Sequence, residues 1–235
     1  THLHKTGYAP DLGVQAGLLK RRSEHDRSRG SYDVFRGRVI VPIVDARGKV
    51  VAFGGRILES VAGTSGAAHV DSAKYLNSPE TDIYKKSGVL YGLSQARRSV
   101  QNKDRLLVVE GYFDVISLHQ AGFEEAVATC GTALTEQHAK LIRPLTRNVV
   151  ALFDADEAGQ RAAEKSLPVF IKAGLEPYRL VIPDAKDPDE FIQTRGADAF
   201  AAELTQSRPL FDLTLDRSRR RHGSSPQGKQ KTVEE

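Results

Sequence analysis

Three apolar runs in this chain end in acids. Arg105-Leu-Leu-Val-Val109 is followed by Glu110-Gly111, Asn148-Val-Val-Ala-Leu-Phe153 by Asp154 and Asp156, and Tyr178-Arg-Leu-Val-Ile182 by Asp184, Asp187 and Asp189. Asp114 stands four residues beyond Glu110, in the first turn of the helix predicted to follow, so it faces the same side. The two-residue spacing of Asp154 and Asp156 in extended chain puts both on one face. Carboxylates at this density repel one another unless cations neutralise them. Oxygen-only ligation suits Mg²⁺ or Mn²⁺, and Mg²⁺ typically bridges a few carboxylates to substrate phosphates. Zinc is not expected, because Cys130 is the single cysteine and the seven histidines show no ligand spacing. Capping is the competing role for some of these acids. Asp187 precedes Pro188 and can serve as an N-cap, and Asp189 with Glu190 favours the first turn of a helix.

The elements that must position these acids alternate. Short apolar strands are expected at 105–109, 125–129, 148–153 and 178–182. Between them, helices are expected at 113–121, 135–143 and 157–173, where Pro168 could kink the last. A fourth begins at Asp187 and runs to Arg195-Gly196, and residues 201–216 are expected to be helical. Such alternation predicts βαβ units around a central four-stranded parallel sheet flanked by helices. In open parallel sheets ligands bind beyond the carboxyl ends of the strands, where the acids lie. Upstream, residues 34–44 and 49–53 read as an antiparallel hairpin about the turn Asp45-Ala-Arg-Gly48. Ser78 can cap a short helix with Pro79 as its first residue. Residues 20–31 and 60–73 read as loops, and 217–228 as a basic linker. Lys229–Glu235 reads as the beginning of a helix.

The chain has 235 residues, 40% hydrophobic and 27% charged, enough for real cores and too apolar for disorder. No apolar run approaches the roughly 20 residues that cross a bilayer, so no membrane partner is expected. The start lacks the apolar segment of a signal peptide, and a cytoplasmic setting is expected. The chain contains no Met, which suggests a piece of a longer protein. Charge divides unevenly. Residues 1–102 hold 16 Lys/Arg against 9 Asp/Glu, and residues 103–200 hold 11 against 16. A basic segment attracts phosphates, and an acidic one binds hard cations.

Val109-Glu110-Gly111-Tyr112-Phe113-Asp114 with Phe153-Asp154-Ala155-Asp156-Glu157-Ala158-Gly159 resembles the Toprim domain, shared by bacterial primases, topoisomerases and some nucleases. The resemblance implies that Glu110 assists proton transfer and that Asp154 and Asp156 bind metal. Further blocks narrow it. Phe35-Arg-Gly-Arg-Val-Ile-Val-Pro-Ile43, Gly54-Gly55-Arg56, Lys74-Tyr-Leu-Asn-Ser-Pro-Glu-Thr81 and Leu90-Tyr-Gly-Leu93 are similar to the DnaG-type primase family, in that family's order. Pro183-Asp-Ala-Lys-Asp-Pro-Asp189 is similar to its block after the fourth strand, which adds Asp187 and Asp189 to Asp114 as further acidic-site residues.

This family resemblance, over roughly residues 8–235, implies an RNA polymerase core. Its parts would be a basic α+β subdomain with antiparallel strands at 1–102, a Toprim catalytic subdomain at 103–200 and the start of a helical subdomain at 201–235. Arg56 and Lys74 would bind a ribonucleoside triphosphate, and Tyr75 and Asn77 would contact nucleotide or template. Arg36, Arg38, Lys74 and Lys85 would face single-stranded DNA. The implied activity is RNA primer synthesis with Mg²⁺ or Mn²⁺. A replicative helicase would be met through a C-terminal domain absent from this chain. Toprim-dependent DNA cleavage and a non-catalytic DNA-binding module are the alternatives.

Overall fold

The structure, a computed structural model, describes residues 2–22, 30–57, 73–129, 131–154 and 156–223, with Ser225, Gln227, Lys229 and Gln230. Most of the loops expected at 20–31 and 60–73 lie outside the described residues, as do Cys130 and the end of the helix expected from Lys229. The chain forms two compact units, Thr1–Lys86 and Ser87–Glu235.

The first unit opens with two short helices, α1 (His2–Lys5) and α2 (Pro10–Gln15). Strands β1 (Leu19–Arg21) and β2 (Ser31–Asp33) pair antiparallel. A separate sheet holds β3 (Arg38–Val44), β4 (Val50–Ile57) and β5 (Tyr75–Asn77), antiparallel throughout. The expected hairpin is therefore present. Its turn is fixed by Asp45 Oδ1, which accepts from the amides of Arg47 and Lys49, each at 2.9 Å. Strand β3 starts at Arg38 rather than residue 34. Ser78 does not cap a helix. It is buried beside β4, where its amide donates to Phe53 O (2.8 Å) and its hydroxyl accepts from Phe53 N (3.0 Å). Both polar groups of Ser78 are thus spent on extending the sheet.

The second unit alternates as expected. Its elements are α3 (Leu93–Lys103), β6 (Leu106–Val109), α4 (Tyr112–Gln120), β7 (Ala126–Ala128), α5 (Glu136–Ile142), β8 (Asn148–Ala151) and α6 (Glu157–Lys172). They continue with β9 (Glu176–Arg179), α7 (Pro188–Leu204), β10 (Arg208–Pro209) and α8 (Leu210–His222). The sheet order is β10-β9-β8-β6-β7. Strands β7, β6, β8 and β9 run parallel, and β10 adds an antiparallel edge that the sequence pattern does not show. All four residues of β6 are fully buried, which is why the strand reads as an unbroken apolar run.

Three boundaries move. Strand β9 is Glu176–Arg179 rather than 178–182, because its pairing starts where Glu176 N meets Arg147 O, and Val181 is exposed. The helix begun at Pro188 breaks at Gly196 as expected, where φ is 80°, and a further segment of α7 runs on to Leu204; the helix expected at 201–216 is divided by β10. Residues 217–222 belong to α8 and not to a linker. Leu210 and Ser218 are buried on this helix, and Arg219, Arg220 and Arg221 sit in its last turn, where the dipole favours cations.

Two buried polar groups are structural. Glu125, fully buried, accepts from Lys103 (2.8 Å), Arg105 (2.6 Å) and Ser99 (3.4 Å). His138 exchanges hydrogen bonds with Thr135, the N-cap of α5.

Candidate active site

Strand β6 ends at Val109 and delivers Glu110 beside the end of β8, its parallel neighbour. There Glu110 Oε1 accepts from the amide of Asp154 at 3.2 Å, joining the two acidic motifs directly. Asp156 is the N-cap of α6, and its Oδ1 accepts from Gly159 N at 2.8 Å. Asp114 lies in the first turn of α4 and accepts from Gly111 N at 3.1 Å. Asp187 caps α7 through Glu190 N (2.8 Å), so its capping and clustering roles coexist. Asp189 accepts from Gln193 Nε2 at 2.6 Å, while its backbone amide reaches Asp114. Asp184 stands apart from this group. It is exposed, has φ of 56°, and pairs with Arg195 at 2.9 Å.

The electrostatics bind these acids into one site. The Asp154 carboxyl is pushed up to about 6, first by burial and then by the charges of Glu110, Asp156 and Asp187, against the pull of Lys186. The Asp114 carboxyl is pushed up to about 7, first by burial and then by Asp187, with a further contribution from Asp154. Bonds from the amides of Gly111 and Asp189 oppose that shift. Carboxylates that raise one another in this way are held in excess of local positive charge.

Such a donor set fits a hard divalent cation. It is oxygen-only, and a cation would relieve the repulsion that raises Asp114 and Asp154. Among the described residues no group of three or more His, Cys, Asp or Glu side chains is placed to hold a metal ion. Mg²⁺ is usually bound through one or two carboxylates, with water and phosphate oxygens supplying the rest.

In the first unit, Arg56 on β4 and Tyr75 on β5 are direct cross-strand partners. The Arg56 guanidinium lies 5.8 Å from the Tyr75 ring centroid, and Lys74 Nζ lies 5.6 Å from it. Two cations thus share one aromatic ring. Asn77 pairs with Gly54 in the same sheet. Arg36 stacks over Tyr32 at 4.8 Å, and Lys85 is exposed. Arg38 is buried, with Nη1 at 3.4 Å from the carbonyls of Gly55 and Lys74. It ties β4, which carries Arg56, to Lys74, which directly precedes β5.

Two residues emerge only from the structure. Gly159 packs its bare α-carbon against the backbone of Asp154. Arg179, at the end of β9 and buried, donates to the Asp154 carbonyl at 3.4 Å. The signal for Arg179 was a lone cation in an otherwise apolar strand sequence. The signal for Gly159 was its place in the acidic motif, although spacing alone did not say what it touches.

Comparison with known proteins agrees with the fold and the motif assignments. A Toprim-like family model matches residues 107–192, and a model described as the N-terminal domain of the DNA primase catalytic core matches residues 1–97. The DNA primase of Clostridium acetobutylicum is 41% identical over 214 residues, which is 90% of this chain and 33% of the relative. The chain therefore spans about a third of that relative's length. A structure of the DnaG primase catalytic domain bound to single-stranded DNA superposes with a TM-score of 0.82 at 38% identity, covering 97% of this chain and 69% of that one. A DNA primase domain from Pseudomonas aeruginosa gives 0.84 at 38% identity, covering 98% and 71%.

Proposed function

The chain belongs to the DnaG-type primase family, and from that premise we propose that it carries the catalytic site for RNA primer synthesis on single-stranded DNA. The observation that carries this reading is the hydrogen bond from Asp154 N to Glu110, which unites both acidic motifs at the carboxyl edge of the sheet. The reaction is attack by the 3′-OH of one nucleotide on the α-phosphate of the next, with release of pyrophosphate.

Glu110, Asp154 and Asp156 are the proposed holders of Mg²⁺ or Mn²⁺, with Asp114, Asp187 and Asp189 around them. When bound, the cation supplies a Lewis acid that offsets charge on the phosphates and makes the attacking hydroxyl more acidic. The chain's own groups do the rest. Glu110 keeps one oxygen on the Asp154 amide. Its other oxygen serves proton transfer or ligation. Arg56 offers phosphate a bidentate fork and Lys74 a point charge, which together neutralise the triphosphate. Tyr75 holds both cations and, with Asn77, contacts the nucleotide. Arg36, Lys74 and Lys85 form the template-binding face, with Arg38 supporting the strands beneath it. A basic surface interleaved with Tyr32 and Tyr75 suits an unstacked single strand. A replicative helicase is a further proposed partner.

The test is product analysis on single-stranded DNA with labelled ribonucleotides and Mn²⁺. Short RNA that disappears in Asp154→Asn supports the proposal. Cleaved DNA without RNA would replace it with a Toprim nuclease.

A further inference from the structure

The Asp154 backbone is held at two atoms. Its amide donates to Glu110, and its carbonyl receives an Nη2 hydrogen of Arg179 at 3.4 Å. Arg179 is only 7% exposed, and its Nε has no hydrogen-bond partner among the described residues. Burying a guanidinium with an unmet donor is costly, so its presence under an acidic site calls for a reason beyond packing. The charges acting on it are those of Glu164 on α6 and Arg217 on α8. Those two form their own pair, Arg217 Nη1 to Glu164 Oε1 at 2.7 Å. Glu164 and Arg217 thus pair with each other, and Arg179 is tied to the Asp154 carbonyl.

We propose that Arg179 is a positioning residue for cation binding: it fixes the Asp154 carbonyl and hence the carboxylate. This inference rests on the reading of Asp154 as a cation-holding residue. Two effects of Arg179 on a cation oppose each other. As an anchor it favours binding by preorganising Asp154. As a nearby positive charge it disfavours binding. Replacement separates them, because Lys keeps the charge but lacks the planar fork.

The experiment is Mn²⁺ titration of the whole chain followed by electron paramagnetic resonance, without nucleotide. It compares wild type with Arg179→Lys, Arg179→Met and Asp154→Asn, with melting temperatures alongside. Loss of one anchoring hydrogen bond is expected to weaken Mn²⁺ about 3- to 10-fold in both Arg179→Lys and Arg179→Met. Tighter binding in Arg179→Met with wild-type binding in Arg179→Lys would overturn the proposal, as would lowered melting temperatures with unchanged Mn²⁺ affinity. If Arg179→Met fails to fold, Arg179→Lys decides, and unchanged affinity there refutes the proposal. Unchanged Mn²⁺ binding in Asp154→Asn would instead refute the underlying reading of the acidic site.

Discussion

A β-carbon on Gly159 would stand 2.7 Å from the Asp154 nitrogen and 2.9 Å from its carbonyl carbon. Both are backbone atoms and cannot rotate away. Only the absence of a side chain lets α6 start this close to the end of β8, and the same Gly159 donates its amide to Asp156, the N-cap of the helix. The two aspartates of the motif are thus arranged around one glycine.

Gly159→Ala is therefore expected to push Asp154 off its hydrogen bonds. Overpacking of this kind costs about 1–3 kcal/mol of stability. A displacement near 1 Å at the reacting site lowers the rate by about 100-fold. Urea unfolding and RNA synthesis on the same sample check both effects, and a rate loss well beyond the stability loss is the expected pattern.

The acidic site gives the metal-free protein an unusual pH response. Asp154 and Asp114 have folded pKa values of about 6 and about 7, above the 3.8 of an unfolded aspartate. The folded state then binds more protons, so these two groups destabilise it above about pH 7, and the effect disappears as pH falls toward 4. In chelator, melting temperature is expected to rise from pH 8 to pH 5. Mg²⁺ at pH 8 is expected to remove much of the difference, and Asp114→Asn to reduce the slope.

Glu125 works in the opposite sense. Burial raises its pKa, but the hydrogen bonds from Lys103 and Arg105 outweigh burial and leave it lowered from 4.5. Its stabilisation is present above pH 4.5 and is lost as pH falls through the lowered value. Glu125→Ala leaves Lys103 and Arg105 without their shared partner. It is expected to cost about 1–3 kcal/mol by denaturant unfolding, because the two cations left behind are partly exposed.

Tyr75 is expected to act through Arg56 and Lys74. Tyr75→Leu removes a ring shared by two cations, each contact being worth about 0.5–1 kcal/mol at an exposed site. It should raise the KM for ribonucleotides several-fold, on the order of 5-fold, with a smaller change in kcat. Tyr75→Phe keeps the ring face and is expected to stay near wild type on this measure.

Much of this architecture was legible because each level repeated the same message. Buried parallel strands gave apolar runs such as Leu106–Val109, and Asp187 before Pro188 marked where a helix begins. The acids at the strand ends stood out against those runs. Less legible was what tertiary contact decided. Ser78 had the local chemistry of an N-cap, yet pairing with Phe53 satisfied it better. Arg208–Pro209 is too short to show any strand period, and it pairs only because β9 offers an edge. Arg38 looked like an outward strand residue until burial against the Gly55 and Lys74 carbonyls turned it inward. Arg179 could be seen as an oddity in its strand sequence, but its partner 25 residues upstream could not.

The central claim is that Glu110, Asp154 and the surrounding carboxylates form one divalent-cation site. The most direct test is the Mn²⁺ affinity of the chain at pH 8, above the raised values of Asp154 and Asp114, in wild type and Asp154→Asn. Loss of a supporting residue around a metal typically costs about 10- to 100-fold, and loss of a holder is expected to cost at least that much. Asp154→Asn should therefore lower Mn²⁺ affinity by about tenfold or more while the fold persists. Equal Mn²⁺ affinity in the two proteins, with both folded, would contradict the account.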